Sequence, residues 1–371
     1  MDYLDNKAVY NLLINLTKDE TLHFLHITEK TLEDFSVNGE RAYQPPPISA
    51  IRPNGQRTLF RPFTSDSAVG AKIIVTPPPK PDGMKDPLHG LIILLDGDGH
   101  PTGLMAAEEI TGYRTSMNAM VPFCWRRHVE NIVVFGGGMQ ALWHTRLILA
   151  LRGSEVKRIT FVNSSRERVD GLIETVSEEN EARWQSGCEF QFIGSRDADA
   201  QKRIQDRLGE ADCVFCTTSS TSPLFPASYL TERSATHSNR QPFISAVGSW
   251  QSDMIELDPA LLHHAMEAYN GYDPVTDEQT GMVLVDDREY AIENAGEMVQ
   301  SKIADEDMVE LGQIIALKSG ETQAGSDDQV AKTNNFISEG LVVYKSVGVS
   351  LTDLTVGSAI LQLKREKERR K

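Results

Sequence analysis

From Asn131 onward the apolar positions come in short unbroken runs, separated by longer stretches with helical spacing. Ile132-Val133-Val134-Phe135 is one such run. A strand without polar alternation suits a parallel sheet covered on both faces. Gly136-Gly137-Gly138 follows, then a helical stretch to about Leu151. Ile159-Thr160-Phe161-Val162 is a second strand, after which Val169, Leu172, Ile173 and Val176 recur at helical spacing. Cys213–Cys216, Phe243–Val247 and Met282–Val285 supply further short strands. This series predicts a doubly wound α/β domain. The first hundred residues mix helical and strand signals. Lys72–Val75 and Leu91–Leu95 are β-rich, and Thr76–Pro81 between them is too rich in proline for a central strand. Asp96-Gly97-Asp98-Gly99 reads as a hairpin turn. A calcium loop begins in the same way, but here His100 takes the place of the third ligand and no glutamate closes the loop.

Tyr269–Thr280 and Ser319–Asn335 are polar and predict surface loops, the second disordered. No internal repeat is visible. A length of 371 residues predicts two domains. With 53 acidic and 37 basic side chains the net charge is −16, which argues against a nucleic-acid partner. The basic C-terminus, Lys364–Lys371, reads as a solvated helix end. No apolar run is long enough to span a membrane, and the acidic start, Met1–Asp5, lacks a signal-peptide pattern. Four cysteines are no disulfide framework, so a reducing, cytoplasmic setting is expected. Cys213-Val214-Phe215-Cys216 has no second pair or nearby histidine and reads as buried strand rather than a zinc or redox motif. No metal site is predicted.

Gly136, Gly138 and Ala141, with Met139 and Gln140 between the last two, form a GxGxxA loop between an apolar strand and a helix. That context is what a dinucleotide needs. Gly136 permits a tight turn, Gly138 lets the backbone approach a pyrophosphate, and Ala141 lets helix pack on strand. The helix start then offers free N–H groups to the phosphates. The doubly wound domain is therefore predicted to be of Rossmann type. At the end of the next strand, Asn163, Ser164, Ser165 and Arg166 stand where an NAD site would carry an acid. That set accepts a 2′-phosphate, so NADP(H) is favoured and NAD(H) remains possible.

Five stretches resemble the ornithine cyclodeaminase/μ-crystallin family: Gly70–Val75, Thr111–Ser116, the glycine loop with Gln140-Ala141, Ala246–Trp250 running to Asp253 and Glu256-Leu257, and Tyr344–Gly348 with Asp353-Leu354. Their order and spacing match from about residue 40 to 363. The resemblance implies an α+β substrate-binding and dimerisation domain, residues 1–127 with 349–371, and a Rossmann domain, residues 128–348. It implies a homodimer. It also implies that Lys72 contacts the substrate near its reacting carbon and that Arg114 clamps a substrate carboxylate. Otherwise Lys72 is a solvent-facing strand residue and Arg114 a surface ion-pair partner of Glu109. Thr115, Thr217, Thr218, Val247, Gly248 and Ser346 fall where the family lines its cofactor.

Two departures matter. Cyclodeaminases carry an aspartate just after the Val-Gly-Gly stretch, whereas here Val247-Gly248 is followed by Ser249 and Trp250, with Asp253 beyond. An indole is no base, which argues against cyclodeamination. The family's arginine shortly before the lysine is also missing from Gln44–Ile48, and either Arg52 or Arg61 could replace it. The expected activity is NAD(P)H-dependent reduction of the C=N bond of a carboxylate-bearing imine or cyclic ketimine, or the reverse amino-acid dehydrogenation. The alternatives are an ornithine cyclodeaminase with bound NAD and a non-catalytic, cofactor-binding μ-crystallin-like protein.

Overall fold

A computed structural model describes residues 2–78, 88–232, 240–267, 271–319 and 326–369. They fall into two compact units, Met1–Arg114 with Val349–Lys371, and Thr115–Gly348. The first boundary lies after Arg114, earlier than the residue 127 expected from sequence. It falls inside one continuous helix, Ala107–Cys124, and not in the turn that follows it.

The first unit is α+β. Strands β1 (Asp2–Leu4), β2 (Ile48–Ile51), β3 (Arg57–Thr64), β4 (Ala68–Thr76), β5 (His89–Asp96) and β6 (Pro101–Ala106) lie in the order β1-β6-β5-β4-β3-β2. All neighbours are antiparallel except β1 and β6. Successive side chains of a strand point to opposite faces. In β4, Gly70, Lys72 and Ile74 are therefore buried, while Val69, Ala71, Ile73 and Val75 are not. The helix Leu351–Arg369 lies on β3, β4 and β5 and packs against the helix Lys18–Ser36. Gly357 allows the close approach, since a Cβ there would stand 3.0 Å from Met105 Cε. The Asp96–Gly99 turn is a hairpin as expected: Asp96 N–H donates to His100 O at 3.0 Å, and Gly99 takes φ 86°. Pro79–Pro81 of the proline run lie outside the described residues.

The second unit is the Rossmann-type α/β domain. Its strands are β7 (Asn131–Phe135), β8 (Arg158–Asn163), β9 (Glu189–Gly194), β10 (Cys213–Cys216), β11 (Phe243–Ala246), β12 (Val283–Val285), β13 (Met308–Glu310) and β14 (Val342–Lys345). The sheet is parallel throughout, in the order β13-β12-β14-β11-β10-β7-β8-β9. The strand order reverses between β7 and β10, which is the crevice where such sheets bind ligands. Cys213 and Cys216 are buried in β10, where desolvation pushes the Cys213 thiol up to about 12 and the Cys216 thiol well above its ordinary value.

One expected loop is partly a helix. Ser319–Asn335 contains the start of the helix Asp327–Glu339, while residues 320–325 lie outside the described residues. Ser326 caps this helix by accepting from Gln329 N–H, and Asp327 and Asp328 suit its positive end. Only Gln329, Thr333, Phe336 and Ile337 form its buried side, so its exposed face looks like a loop in sequence. The Tyr269–Thr280 stretch is a turn, with Tyr269 and Asn270 outside the described residues. At the chain end, Lys364 and Arg365 both pair with Asp2 of β1, at 2.9 and 3.1 Å, while Arg370 and Lys371 lie outside the described residues. Among the described residues no helix is long and apolar enough to cross a membrane.

Candidate active site

The first unit gathers buried charges around one carboxylate. Lys72, from the inward face of β4, is 1% exposed. Its Nζ lies 2.8 Å from Asp353 Oδ1 and 2.7 Å from Oδ2. Arg114, on the helix Ala107–Cys124, is 4% exposed and donates through Nε to the same Oδ1 at 3.0 Å. Neither residue is the surface group that its sequence also allowed. Asp353 stands in the first turn of Leu351–Arg369, on the stripe that also buries Val356, Gly357 and Ile360. Arg114 Nη1 is buried without a hydrogen-bond partner among the described residues. A buried guanidinium nitrogen of that kind is costly unless an acceptor meets it.

Arg61 belongs to the same face. It sits directly opposite Lys72 in the β3–β4 ladder, with Ile92 on the other side. Arg52 lies in the exposed β2–β3 turn, beyond the ladder end at Ile51 and Arg57. The structure thus brings Arg61, and not Arg52, beside the lysine. Desolvation lowers Lys72 to about 7, with Arg114 and Arg61 adding repulsion and Asp353 opposing them. Burial works against ionised Asp353, but Arg114, Lys72 and Arg61 together hold its carboxyl below the usual range. A lysine poised near neutrality can both give and take a proton.

The second unit presents the glycine loop at the carboxyl end of β7. Gly136 takes φ 128°, and a Cβ there would stand 2.3 Å from Thr217 Oγ1. Thr217 itself is tied to the loop strand, its N–H and Oγ1 both donating to Phe135 O, at 2.9 and 2.7 Å. Around Gly138 a Cβ would meet nothing within 4 Å, and no side chain caps the helix Met139–Arg152 that starts there. Met139 is exposed and Ala141 fully buried. This is an open cradle at a helix N-terminus, and it fits a pyrophosphate. Gln140 Oε1 lies 3.4 Å from Ser116 Oγ, and Thr115 beside it is buried.

At the end of β8, Asn163 approaches Gly137, and its Nδ2 donates to Ser165 O at 3.2 Å. Ser164 is exposed, and Ser165 caps the next helix. Arg166 is exposed, with its guanidinium carbon 4.6 Å above the Phe192 ring. No carboxylate ends β8. Thr218 and Gly248, after β10 and β11, are held by Glu256, and Val247 N–H donates to Cys216 O at 3.0 Å. Ser346 is less available than expected: its hydroxyl donates to buried Asp286 at 2.6 Å. Two residues that organise these sites, Asp353 and Glu256, carried no role in the sequence. Asp353 did leave a signal, as an acid on the apolar stripe of a helix.

The sequence profile of the ornithine cyclodeaminase/mu-crystallin family matches residues 15–368. A protein of Dictyostelium discoideum described as an uncharacterized cyclodeaminase is 27% identical over 307 residues, covering 81% of this chain and 77% of that one. Among solved structures, the Δ1-pyrroline-2-carboxylate reductase of Thermococcus litoralis, in complex with NADH and L-proline, superposes with a TM-score of 0.71 at 16% identity, covering 99% of this chain and 98% of its own. The iminosuccinate reductase of Paracoccus denitrificans, in complex with NAD+, gives 0.70 at 20% identity, covering 99% and 97%. At such identities the two structures show a shared fold. The profile match spans nearly the whole chain, both units included, and the chain belongs to the ornithine cyclodeaminase/mu-crystallin family.

Proposed function

We propose that the protein is an NAD(P)H-dependent oxidoreductase that reduces the C=N bond of a carboxylate-bearing imine or cyclic ketimine, or oxidises the corresponding amino acid. The observation that carries this reading is the buried Lys72–Asp353–Arg114 cluster with its unpartnered guanidinium nitrogen. Lys72 and Arg114 both contact Asp353, and Arg114 keeps a further buried nitrogen with no partner among the described residues, so a substrate carboxylate completes the site. Arg114 binds and orients the substrate carboxylate. Lys72 hands its proton to the imine nitrogen, or takes it back in the reverse direction. Asp353 keeps both cations in place. The glycine loop, with Thr217 and the start of the helix Met139–Arg152, holds the dinucleotide. Its nicotinamide, when bound, supplies the two reducing electrons.

The experiment is loss of NAD(P)H absorbance with Δ1-pyrroline-2-carboxylate, Δ1-piperideine-2-carboxylate and keto acids mixed with amines. Turnover of one of these supports the reading. Silence across the panel with cofactor bound, or ammonia released from ornithine without net cofactor change, overturns it.

NADP(H) is the preferred dinucleotide in this reading. Asn163 in place of an acid and Arg166 stacked on Phe192 support it. Arg166→Ala is expected to raise the KM for NADPH roughly 10-fold or more, the worth of one charge-assisted hydrogen bond. The KM for NADH should stay put. A wild-type protein that already prefers NADH refutes the assignment.

We also read the outer face of the first sheet as a homodimer surface. Ile48, Phe60, Ile73 and Leu91 form one cross-strand row, and three of them are exposed by 63%, 41% and 40% in the order Ile48, Phe60, Leu91. An apolar row of this kind on a sheet favours a self-complementary partner. Leu91→Asp is expected to shift the protein to a monomer in sedimentation velocity. A wild-type monomer at micromolar concentration excludes the surface.

A further inference from the structure

The carboxyl edge of the parallel sheet holds a second buried charge network, apart from the glycine loop. Glu256 is fully buried and lies in the irregular segment after β11. Its Oε1 accepts from Thr218 Oγ1 at 2.9 Å and also from Thr218 N–H, while its Oε2 accepts from Gly248 N–H at 2.7 Å. Thr218 follows β10 and Gly248 follows β11, so one carboxylate ties two neighbouring loops. They touch backbone to backbone, for a Cβ on Gly248 would stand 1.8 Å from Thr218 O.

Glu256 is itself held from several sides. Its N–H donates to Glu297 Oε1 at 2.7 Å, and its carbonyl accepts from Leu224 N–H at 2.9 Å. Glu297 also accepts from Ser249 Oγ. Lys345, at the end of β14, donates to Ser249 Oγ at 2.6 Å and lies 3.5 Å from Glu297 Oε2. Ser249, Glu297 and Lys345 are all fully buried. Desolvation raises Glu256 to about 7, with Lys345 and the two N–H donors pulling it back. Burying two acids and one lysine is expensive, and packing alone does not require it.

We propose that Glu256 is a positioning residue for the nicotinamide half of the dinucleotide. This rests on the cofactor reading above. In a doubly wound sheet the two halves of a dinucleotide lie on opposite sides of the switch point. Here the glycine loop and the end of β8 serve the adenosine side. The loops after β10 and β11 then form the floor of the other side, and the Glu256 carboxylate sets their separation. It touches neither the reacting atoms nor the cofactor; it acts through Thr218 and Gly248.

The test is calorimetric titration of wild type, Glu256→Gln and Glu256→Asp with NADPH, NADH and ADP. The glutamine turns an amide donor toward donors already there, and the aspartate keeps the charge but shortens the reach. Both variants are expected to bind the dinucleotide roughly 10-fold or more weakly, as for a lost charge-assisted hydrogen bond. Their ADP affinity should change less than about twofold, because the glycine loop is untouched. Unchanged dinucleotide affinity in both variants overturns the proposal. A parallel loss of ADP and dinucleotide binding, or loss of the fold in both variants, makes Glu256 purely structural and overturns it as well. Wild type that binds neither dinucleotide refutes the cofactor reading itself, a failure distinct from that of Glu256.

Discussion

Asp353→Asn is expected to cost about 3–5 kcal/mol of folding stability and to lower imine reduction on the order of a hundredfold or more. Asp353 is the carboxylate that both Lys72 and Arg114 contact, and all three are buried. Removing one member of a buried ion cluster leaves the others unpaired, which is far worse than never having buried them. The two cations respond differently. Lys72 already sits near neutrality, so it escapes by releasing its proton. Arg114 has no such exit, because a guanidinium does not deprotonate in a protein. The stability loss is therefore carried by Arg114, and adding Lys72→Met to Asp353→Asn should recover little of it. Activity fails for the other reason, since a discharged Lys72 gives no proton. Urea denaturation with an unchanged slope measures the first effect, and kcat/KM the second. A stability change below about 1 kcal/mol would mean that Asp353 is not the counter-charge of this cluster.

The sequence reached the second unit more readily than the first, for a physical reason. Strands β7, β8, β10 and β11 are covered on both faces, so each reads as a mainly apolar run, interrupted only by Thr160 in β8 and Ser245 in β11, whose ends lie within a residue of the expected ones. The first sheet has one covered face. Strand β2 is exposed along its whole length and β1 has three residues, so neither carries a pattern to read. The helix Asp327–Glu339 was hidden by its polar face. Lys72 and Arg114 were found through motifs that resemble a family, and periodicity alone did not single them out. Their shared acid was harder, because Asp353 is 281 residues from Lys72 and 239 from Arg114. Only the fold brings them together. Still, a lysine at an inward strand position and an acid on an apolar helix stripe each demand a partner. Read together, they name one another. The choice between Arg52 and Arg61 needed the register of β3 on β4, which no spacing rule supplies.

Arg61→Met should move the pH at which the enzyme loses its proton donor. Burial lowers Lys72 to about 7, Arg114 and Arg61 push in the same direction, and Asp353 opposes them. Removing Arg61 removes one repulsion, so Lys72 must titrate higher. The sign follows from the role proposed for it. Below its pKa Lys72 carries the proton that reduction consumes, and above it the proton is gone. The kcat/KM of imine reduction therefore falls as pH rises through about 7, and the reverse oxidation rises through the same value. In Arg61→Met both limbs shift to higher pH. If Arg61 also meets the substrate carboxylate, KM rises at every pH, an effect that a pH profile separates from the displaced limb. Arg52→Met is the control: its side chain leaves an exposed turn, so neither limb nor KM should move. A limb that stays fixed in Arg61→Met would show that the group titrating near neutrality is not Lys72, because Arg61 is one of the charges that hold Lys72 down.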